Sequence, residues 1–479
     1  MPGRQSIRFA GTENSCIIQG VERRSPGKSA PYATVLAALL AGVIQSSSIA
    51  KPPNIVLIVA DDLGYGDIGC YGSTQNRTPN LDQLARNGVR FTDFHSNGPM
   101  CSPTRAAILT GLYQSRFGRR FESALSAARG DAGLPLEAVT IAELLRDKGY
   151  ATGMFGKWHL GYEPPFLPTN QGFDEFRGLV SGDGDFHTRI DRSGNEDWWK
   201  NGTIEMERDA YTTDLITRDS IDFIERNKDR PFFVYIPHLA IHFPWQGPKD
   251  PPHRKAGTNY SKDKWGVIPD RSNVSPHVKA MIESLDDSVG KIITSLEEFS
   301  LTEDTLVIFT SDNGGYRDYA GGFENISDMG PLRGEKATLY EGGHRVPAII
   351  SWPEKILPSV NSETTMTFDL FNTIAKVAEI NSTSYAKGDG RDLTNLLLKG
   401  EQVPPRMLFW RMGKTKAVRQ GKWKLILRGE QSPELYDLDQ DLGETQNLAD
   451  TNPKILKSLL DALAQWESSV DASARAFEN

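Results

Sequence analysis

The chain has 479 residues, of which 38% are hydrophobic and 24% charged, with a formal net charge of −8. This length supports two domains, or one large domain with an appendage, and the composition is that of an ordinary globular protein. The acidic balance leaves no basic footprint for nucleic acid, so any anion-binding site has to be local.

Arg23, Arg24 and Lys28 precede the apolar run ATVLAALLAGVI, and small residues follow up to Ala50. That order reads as an export signal over residues 1–50, and the run is too short for a membrane anchor. From residue 54 the elements alternate. NIVLIVA (54–60) is an unbroken apolar run, as in a strand buried on both faces. TPNLDQLARNG (78–88) carries Pro near a helix start and Gly at its end. In PMCSPTRAAILTG (99–111), Ser102 is the expected N-cap, Pro103 suits the first helical position and Gly111 the stop. This puts Cys101 at the positive end of a helix. VTIAELLRDKG (139–149) is a helix leading into the strand YATGMFG. DAYTTDLITRDSIDFIERN (209–227) leads into PFFVYIP, and HVKAMIESLDDSVGKIITSLEEF (277–299) into TLVIFT (305–310).

Alternation of this kind predicts an α/β layered domain with a largely parallel central sheet, assigned to residues 51–400. Near residue 400 the pattern shifts to short strands in AVRQGKWKLILRG and PELYDLDQD, closed by the helix KILKSLLDALAQWESSV. Residues 401–479 are therefore expected to form a smaller C-terminal α+β subdomain. With Cys16 in the leader, Cys70 and Cys101 remain, and their spacing matches no zinc site.

Polar residues cluster where the strands stop. NIVLIVA ends in Asp61 and Asp62, TLVIFT in Asp312 and Asn313 after Ser311, and YATGMFG in Lys157 and His159. FFVYIP is followed by His238 and His242. Ligands in open α/β sheets bind beyond the carboxyl ends of strands, so these groups are candidates for one pocket. Asp and Asn also serve as turn formers, but two such pairs after two apolar strands suit a hard divalent cation, calcium first and magnesium second. Lys157, His159 and His242 fit around an anion, and Lys336 in LRGEKATLYEGG offers a second cation unless it is a solvated surface charge. His238 and His344 receive no role.

At this point the chain resembles the sulfatase family. CSPTRAAILTG is similar to its signature, with Cys, Pro and Arg spaced two residues apart. PNIVLIVADDLGYGDIGCYG, TPNLDQLARNGVRFTDF, GKWHLG, SDNGG, AVRQGKWKL and ELYDLDQDLGETQNLA also stand in the family's order, over residues 53–450. The likeness is to the arylsulfatase and glycosaminoglycan-sulfatase branch of the alkaline phosphatase superfamily, which implies an alkaline-phosphatase-like layered domain. Thr104 stands where the family often has Ser.

The resemblance implies that a separate maturing enzyme oxidises Cys101 to Cα-formylglycine, whose hydrate attacks the sulfur of a sulfate ester. It implies one Ca²⁺ per chain, held by Asp61, Asp62, Asp312, Asn313 and the group made from Cys101. Arg105 would favour the developing alkoxide, and Lys157 and Lys336 would neutralise sulfate oxygens. His242 would protonate the leaving alcohol, and His159 would take the proton whose loss expels sulfate. SGDGDFHTRID (181–191) lies on the leaving-group side in relatives, making Asp185 and His187 candidate sugar contacts. DWWKNG and HFPWQGP add aromatic rings for stacking or for packing.

The implied partners are a sulfated polysaccharide or oligosaccharide and the maturing enzyme, and the implied location is periplasmic or secreted. Two other readings remain at this level. A phosphoesterase of the same superfamily would need more metal-binding histidines and a Ser or Thr nucleophile. A non-catalytic glycan-binding protein would follow if Cys101 stays unmodified.

Overall fold

Every residue of the run 54–60 is buried and forms a strand, as its unbroken apolar character requires. The computed structural model describes residues 51–126, 132–263, 273–319, 323–381, 388–475 and 477, so the leader assigned to residues 1–50 lies outside the described residues. The strands in chain order are β1 (Asn54–Ala60), β2 (Val89–Phe91), β3 (Phe94–His95), β4 (Ala151–Lys157), β5 (Glu175–Leu179), β6 (Trp199–Lys200), β7 (Thr203–Ile204), β8 (Phe232–Pro237), β9 (Thr305–Ser311), β10 (Ala348–Ser351), β11 (Ser359–Asn361), β12 (Thr365–Met366), β13 (Met407–Met412), β14 (Thr415–Gln420), β15 (Trp423–Arg428) and β16 (Glu434–Asp437). The helices are α1 (Pro79–Arg86), α2 (Cys101–Thr110), α3 (Ile141–Asp147), α4 (Thr212–Asn227), α5 (Ser275–Glu298), α6 (Glu341–His344), α7 (Asp369–Val377), α8 (Thr394–Lys399) and α9 (Pro453–Ala474).

Among the described residues ten strands form one sheet in the order β11-β2-β10-β9-β1-β8-β4-β5-β6-β7. The central strands β9, β1, β8, β4 and β5 are all parallel, as expected. The margins are mixed, with β10 antiparallel to β9 on one side and β6 and β7 antiparallel on the other. Because successive side chains of a strand point to opposite faces, β1 feeds two cores. Ile55, Leu57 and Val59 pack with Ile108 of α2, Ile141 of α3 and Leu370 of α7. Val56 and Ile58 pack with Ile216 of α4 and Met281 of α5. This is the alkaline-phosphatase-like layered α/β architecture.

The small C-terminal sheet is an antiparallel meander, β13-β14-β15-β16. Trp410 and Leu425 on it pack with Leu459, Leu463 and Trp466 of α9, and the same core takes in Ala107 of α2 and Leu339. The meander is therefore welded onto the large sheet's layer, and Ala50–Asn479 clusters as one compact unit. Among the described residues no helix is long and apolar enough to cross a membrane.

Candidate active site

The parallel register sets Ala60 of β1 opposite Ser311 of β9, so the two Asx pairs leave the sheet side by side. The Asp312 amide donates to Ala60 O (3.0 Å), the Asp62 amide to Asp312 Oδ1 (3.3 Å), and Asn313 Nδ2 to Asp62 Oδ1 (2.8 Å). Asp62 adopts φ +63°, a left-handed conformation that Asp tolerates better than most residues. At the end of β4, Lys157 Nζ lies 2.5 Å from Asp61 Oδ2. Lys336 arrives from the other side, its Nζ 2.5 Å from Asp62 Oδ1.

Both ammonium groups also approach Cys101 Sγ, at 3.5 Å for Lys157 and 3.4 Å for Lys336. Cys101 Sγ is 3.3 Å from Asp61 Oδ1. Burial, followed by the charges of Asp312 and Asp61, pushes the Cys101 thiol well above its ordinary value. The same surroundings disfavour the thiolate, the reactive form of an unmodified cysteine.

Helix α2 and its N-cap begin two residues earlier than expected. Met100, in extended conformation, is the N-cap, Cys101 is the first helical residue and Ser102 lies inside the helix. The Ser102 hydroxyl is used instead to accept from the Leu125 amide (3.0 Å). Gly111 ends the helix in the left-handed conformation, as expected. Thr104 serves the loop before the helix, accepting from the Gly98 amide and donating to Gly98 O, both at 3.1 Å. A serine hydroxyl could make the same pair. Arg105 donates from Nε to Asp312 Oδ2 (2.9 Å) and from Nη1 to Lys157 O (2.7 Å). Its guanidinium thus ties α2 to the ends of β9 and β4.

Cys101, His159, His242 and Lys336 line one cavity of about 420 Å³. His159 Nε2 is 2.9 Å from Leu125 O, which makes it the donor and leaves Nδ1 as a lone pair with no hydrogen-bond partner. Gly182 backs this ring so closely that a Cβ there would stand 2.4 Å from Cε1. In His242 the Nδ1–H donates to Phe243 O (2.7 Å), and Nε2 lies 3.8 Å from Asp62 Oδ2. Burial and then the positive charge of Lys157 hold both imidazoles well below their usual pKa, with Lys336 adding to the effect. Both rings are neutral near pH 7. Burial works against the Lys336 ammonium, but Asp62, Cys101, Tyr316 and Asp61 together outweigh it and raise its pKa.

The residues fit a hard cation. Ligand atoms of Asp61, Asp62, Cys101 and Asp312 all lie within 4.8 Å of one another. Asp62 Oδ2 and Asn313 Oδ1 are buried without a hydrogen-bond partner, an arrangement that costs stability unless a cation is bound. Burial and the Asp61 charge raise the Asp312 carboxyl, a strain that a divalent ion between them would relieve. The donors near the orphan atoms are oxygens, which suits calcium.

Two expected sugar contacts are displaced from the cleft. Asp185 is fully buried, and its oxygens accept from the amides of His187, Thr188, His253 and Arg254 and from Gln246 Nε2. It closes a loop and has nothing left for a ligand. His187 lines a separate cavity beside Tyr211, with Nε2 3.3 Å from Gly247 O. Asp183 from that stretch and Arg192 just after it line the cleft instead, joined by hydrogen bonds of 2.7 and 3.0 Å. Part of the loop therefore reaches the cavity, but an irregular loop has no periodicity from which to read where side chains aim.

The expected stacking aromatics also divide. Trp198 and Trp245 are buried in the core, whereas Phe243 lines the cavity, beside Tyr162, Tyr316 and Tyr319, which the sequence reading did not name. His238 is buried, with Nε2 3.3 Å from Ser288 Oγ. His344 stacks on Trp410 at 4.3 Å and meets His95 Nδ1 at 3.0 Å, away from the cleft.

A family model described as Sulfatase matches residues 53–380. The chain is 36% identical over 488 residues to arylsulfatase A of Homo sapiens, covering 89% of each chain. It is 34% identical over 409 residues to N-acetylgalactosamine-6-sulfatase of Canis lupus familiaris, covering 81% of this chain and 74% of that one. A crystal structure of Ps i-CgsB in complex with k-i-k-neocarrahexaose shares the fold with a TM-score of 0.76 at 28% identity, covering 87% of this chain and 93% of that one. A sheet whose carboxyl ends gather these acids, cations and the signature cysteine is thus matched along nearly its whole length by enzymes of one kind, and the chain belongs to the sulfatase family of sulfuric ester hydrolases.

Proposed function

We propose that the protein hydrolyses sulfate esters of a carbohydrate, using a formylglycine made from Cys101 and a calcium ion. The observation that carries this reading is the convergence of both lysine ammonium groups on Cys101 Sγ inside a cage of three carboxylates. The hydrated aldehyde supplies an oxygen nucleophile for sulfur and a second hydroxyl whose ionisation frees the sulfate. Calcium, when held by Asp61, Asp62, Asp312 and Asn313, supplies Lewis acidity and a template for the sulfate oxygens.

The residues themselves do the rest. Asp61, Asp62 and Asp312 balance Lys157, Lys336 and Arg105, so a divalent ion tips this pocket of an acidic protein to net positive charge. Lys157 and Lys336 neutralise sulfate oxygens as point charges. Arg105 donates from Nε to Asp312 and from Nη1 to the Lys157 carbonyl, which aligns α2 with the metal-binding end of β9 and with the end of β4 that carries Lys157, and its Nη2 stays beside the carboxylates. His159 offers a neutral Nδ1 as base. His242 starts neutral, and the negative charge of a bound sulfate ester offsets the lysines and raises its proton affinity, so that Nε2 protonates the leaving alcohol.

A sugar substrate is supported by the tyrosines and the Asp183–Arg192 pair at the cavity and by the names of the relatives. Cys101 is buried to 1% exposure, which favours conversion by the maturing enzyme before the chain folds. Export is part of the same reading and rests on the residue order of the leader.

The test is to prepare the protein with and without a formylglycine-generating enzyme, quantify conversion by mass spectrometry of the peptide spanning Cys101, and measure turnover of an aryl sulfate. Turnover is expected to track the converted fraction, to vanish in Cys101→Ala, and to vanish on chelation and return with Ca²⁺. Asp312→Ala should lose bound calcium, measured by elemental analysis, together with activity. Rapid multiple turnover by a fully unconverted thiol form would overturn the mechanism.

A further inference from the structure

The two C-terminal motifs, AVRQGKWKL and ELYDLDQDLGETQNLA, lie outside the cleft, yet they hold a catalytic loop. Lys336 is carried by the segment 333–344, which ends in α6. The Glu341 amide donates to Glu444 Oε2 (2.7 Å), and Lys424 Nζ of β15 pairs with Glu341 Oε1 and Glu444 Oε1, both at 2.9 Å. Lys424 Nζ is also 3.1 Å from His344 Nε2. At the other end of the segment, the Arg333 guanidinium donates to Glu444 O and, at 3.2 Å, to Tyr436 Oη. Between them, Tyr340 Oη donates to Glu434 Oε2 (2.8 Å). The segment is therefore gripped at both ends by the meander and its following loop, and Lys336 projects from the middle to Asp62 and Cys101.

Lys424 and Glu341 are fully buried, so the grip is desolvated and geometrically strict rather than a screened surface contact. Against the large sheet's layer the segment is tied mostly through backbone groups: Lys336 N to Gly315 O (2.9 Å), Ala337 N to Pro99 O (3.0 Å), Gly314 N to Gly343 O (3.0 Å) and Ser96 N to His344 O (2.7 Å), with the Arg317 and Asp318 amides donating to Glu335 Oε2 (2.7 and 3.1 Å), whereas the buried ion-pair grip on Glu341 comes from the meander side. We infer that the C-terminal meander is part of the catalytic apparatus, with Lys424 and Glu444 as positioning residues that set the reach of Lys336 into the active site. The inference rests on the role given to Lys336 above.

The test is a double-mutant cycle on a preparation of known formylglycine content. Lys424→Met is expected to lower kcat on an aryl sulfate by about tenfold or more while the protein stays folded by circular dichroism, because small misplacements of a charge-stabilising group are costly. In a Lys336→Ala background the same change should cost less than about twofold further, since the group it positions is gone. Additive losses, or an unchanged kcat in Lys424→Met, would overturn the inference.

Glu444→Gln can keep an acceptor for the Glu341 amide while its uncharged amide no longer pairs with Lys424, so it carries the cycle if Lys424→Met does not fold. Hydrogen exchange gives a readout independent of turnover: residues 333–344 should lose protection in the variant while β1 and β9 keep theirs. If the wild-type protein shows no sulfatase turnover, the functional reading fails, and the exchange result alone decides the clamp. Unchanged protection of 333–344 would refute it.

Discussion

His242 shows how one residue can be poised by its neighbours. Its Nδ1–H is committed to Phe243 O, so only Nε2 remains for chemistry, and burial, followed by the charges of Lys157 and Lys336, disfavours a proton there. A general acid matters most when the leaving alcohol is a poor leaving group. His242→Ala is therefore expected to slow a sugar sulfate by about 10²–10⁴-fold in kcat/KM, and an activated aryl sulfate by less than about tenfold. Steady-state kinetics on the two substrates checks this, and equal losses would remove the acid role. Arg105 teaches the complementary lesson. Its Nε and Nη1 donate to Asp312 and a backbone carbonyl, while Nη2 lies beside the Asp312 and Asp61 carboxylates with no hydrogen bond of its own, so one arm of the guanidinium braces the carboxylate cage without being used up.

At the scale of elements, the site depends on how strand ends and loops abut. Parallel pairing of β1 with β9 aligns two Asx pairs 250 residues apart in sequence, as the Asp62–Asp312 hydrogen bond shows. The loop 181–183 crosses the face of His159 and needs glycine to do so. Gly182→Ala would bring a Cβ within 2.4 Å of the imidazole, and the ring has to move away from Leu125 O. Because a displacement of about 1 Å can cost about 10²-fold, kcat is expected to fall at least tenfold with little change in melting temperature. Wild-type kcat in this variant would show that His159 does not need its present position. The pattern of elements was legible in sequence: the apolar runs give β1, β8 and β9, and the Pro and Gly signals give α1 and the end of α2. The start of α2 departs from its local cap pattern because the Ser102 hydroxyl, placed like a cap in sequence, accepts from the Leu125 amide instead.

On the scale of the whole molecule, His95, His159, His238, His242 and His344 are all buried with pKa values lowered primarily by burial. His238 is the simplest of them, lowered to about 3 with burial as the cause. Unfolding frees it to take up a proton below about pH 6.5, while the folded state refuses that proton down to about pH 3. Its contribution to stability is thus complete above about pH 6.5 and is lost as pH falls through that window. Asp67, raised by burial to about 7, acts in the opposite direction, because the folded state binds its proton more tightly. The single variant His238→Gln isolates one term. Its urea midpoint should decline less steeply than wild type between pH 6.5 and 5, by at most about 1.4 kcal/mol per pH unit in stability. Identical pH slopes would mean that His238 is protonated in the folded protein.

What the sequence by itself determined is what short-range chemistry encodes. Apolar runs specify buried strands, Asx pairs at their ends bring carboxylates together, and the motifs from CSPTR onward mark the sulfatase family. What only the tertiary structure decided is which side chains meet across long separations. Asp183 and Arg192 rather than Asp185 and His187 reach the cleft, because in an irregular loop the aim of a side chain is set by what the backbone amides bind. Lys336 reaches Asp62 over 274 residues, and the segment that carries it is held by a C-terminal meander still further along the chain. No local pattern can contain that information, since the contacts form only when the layers have packed and the buried charges have found their partners.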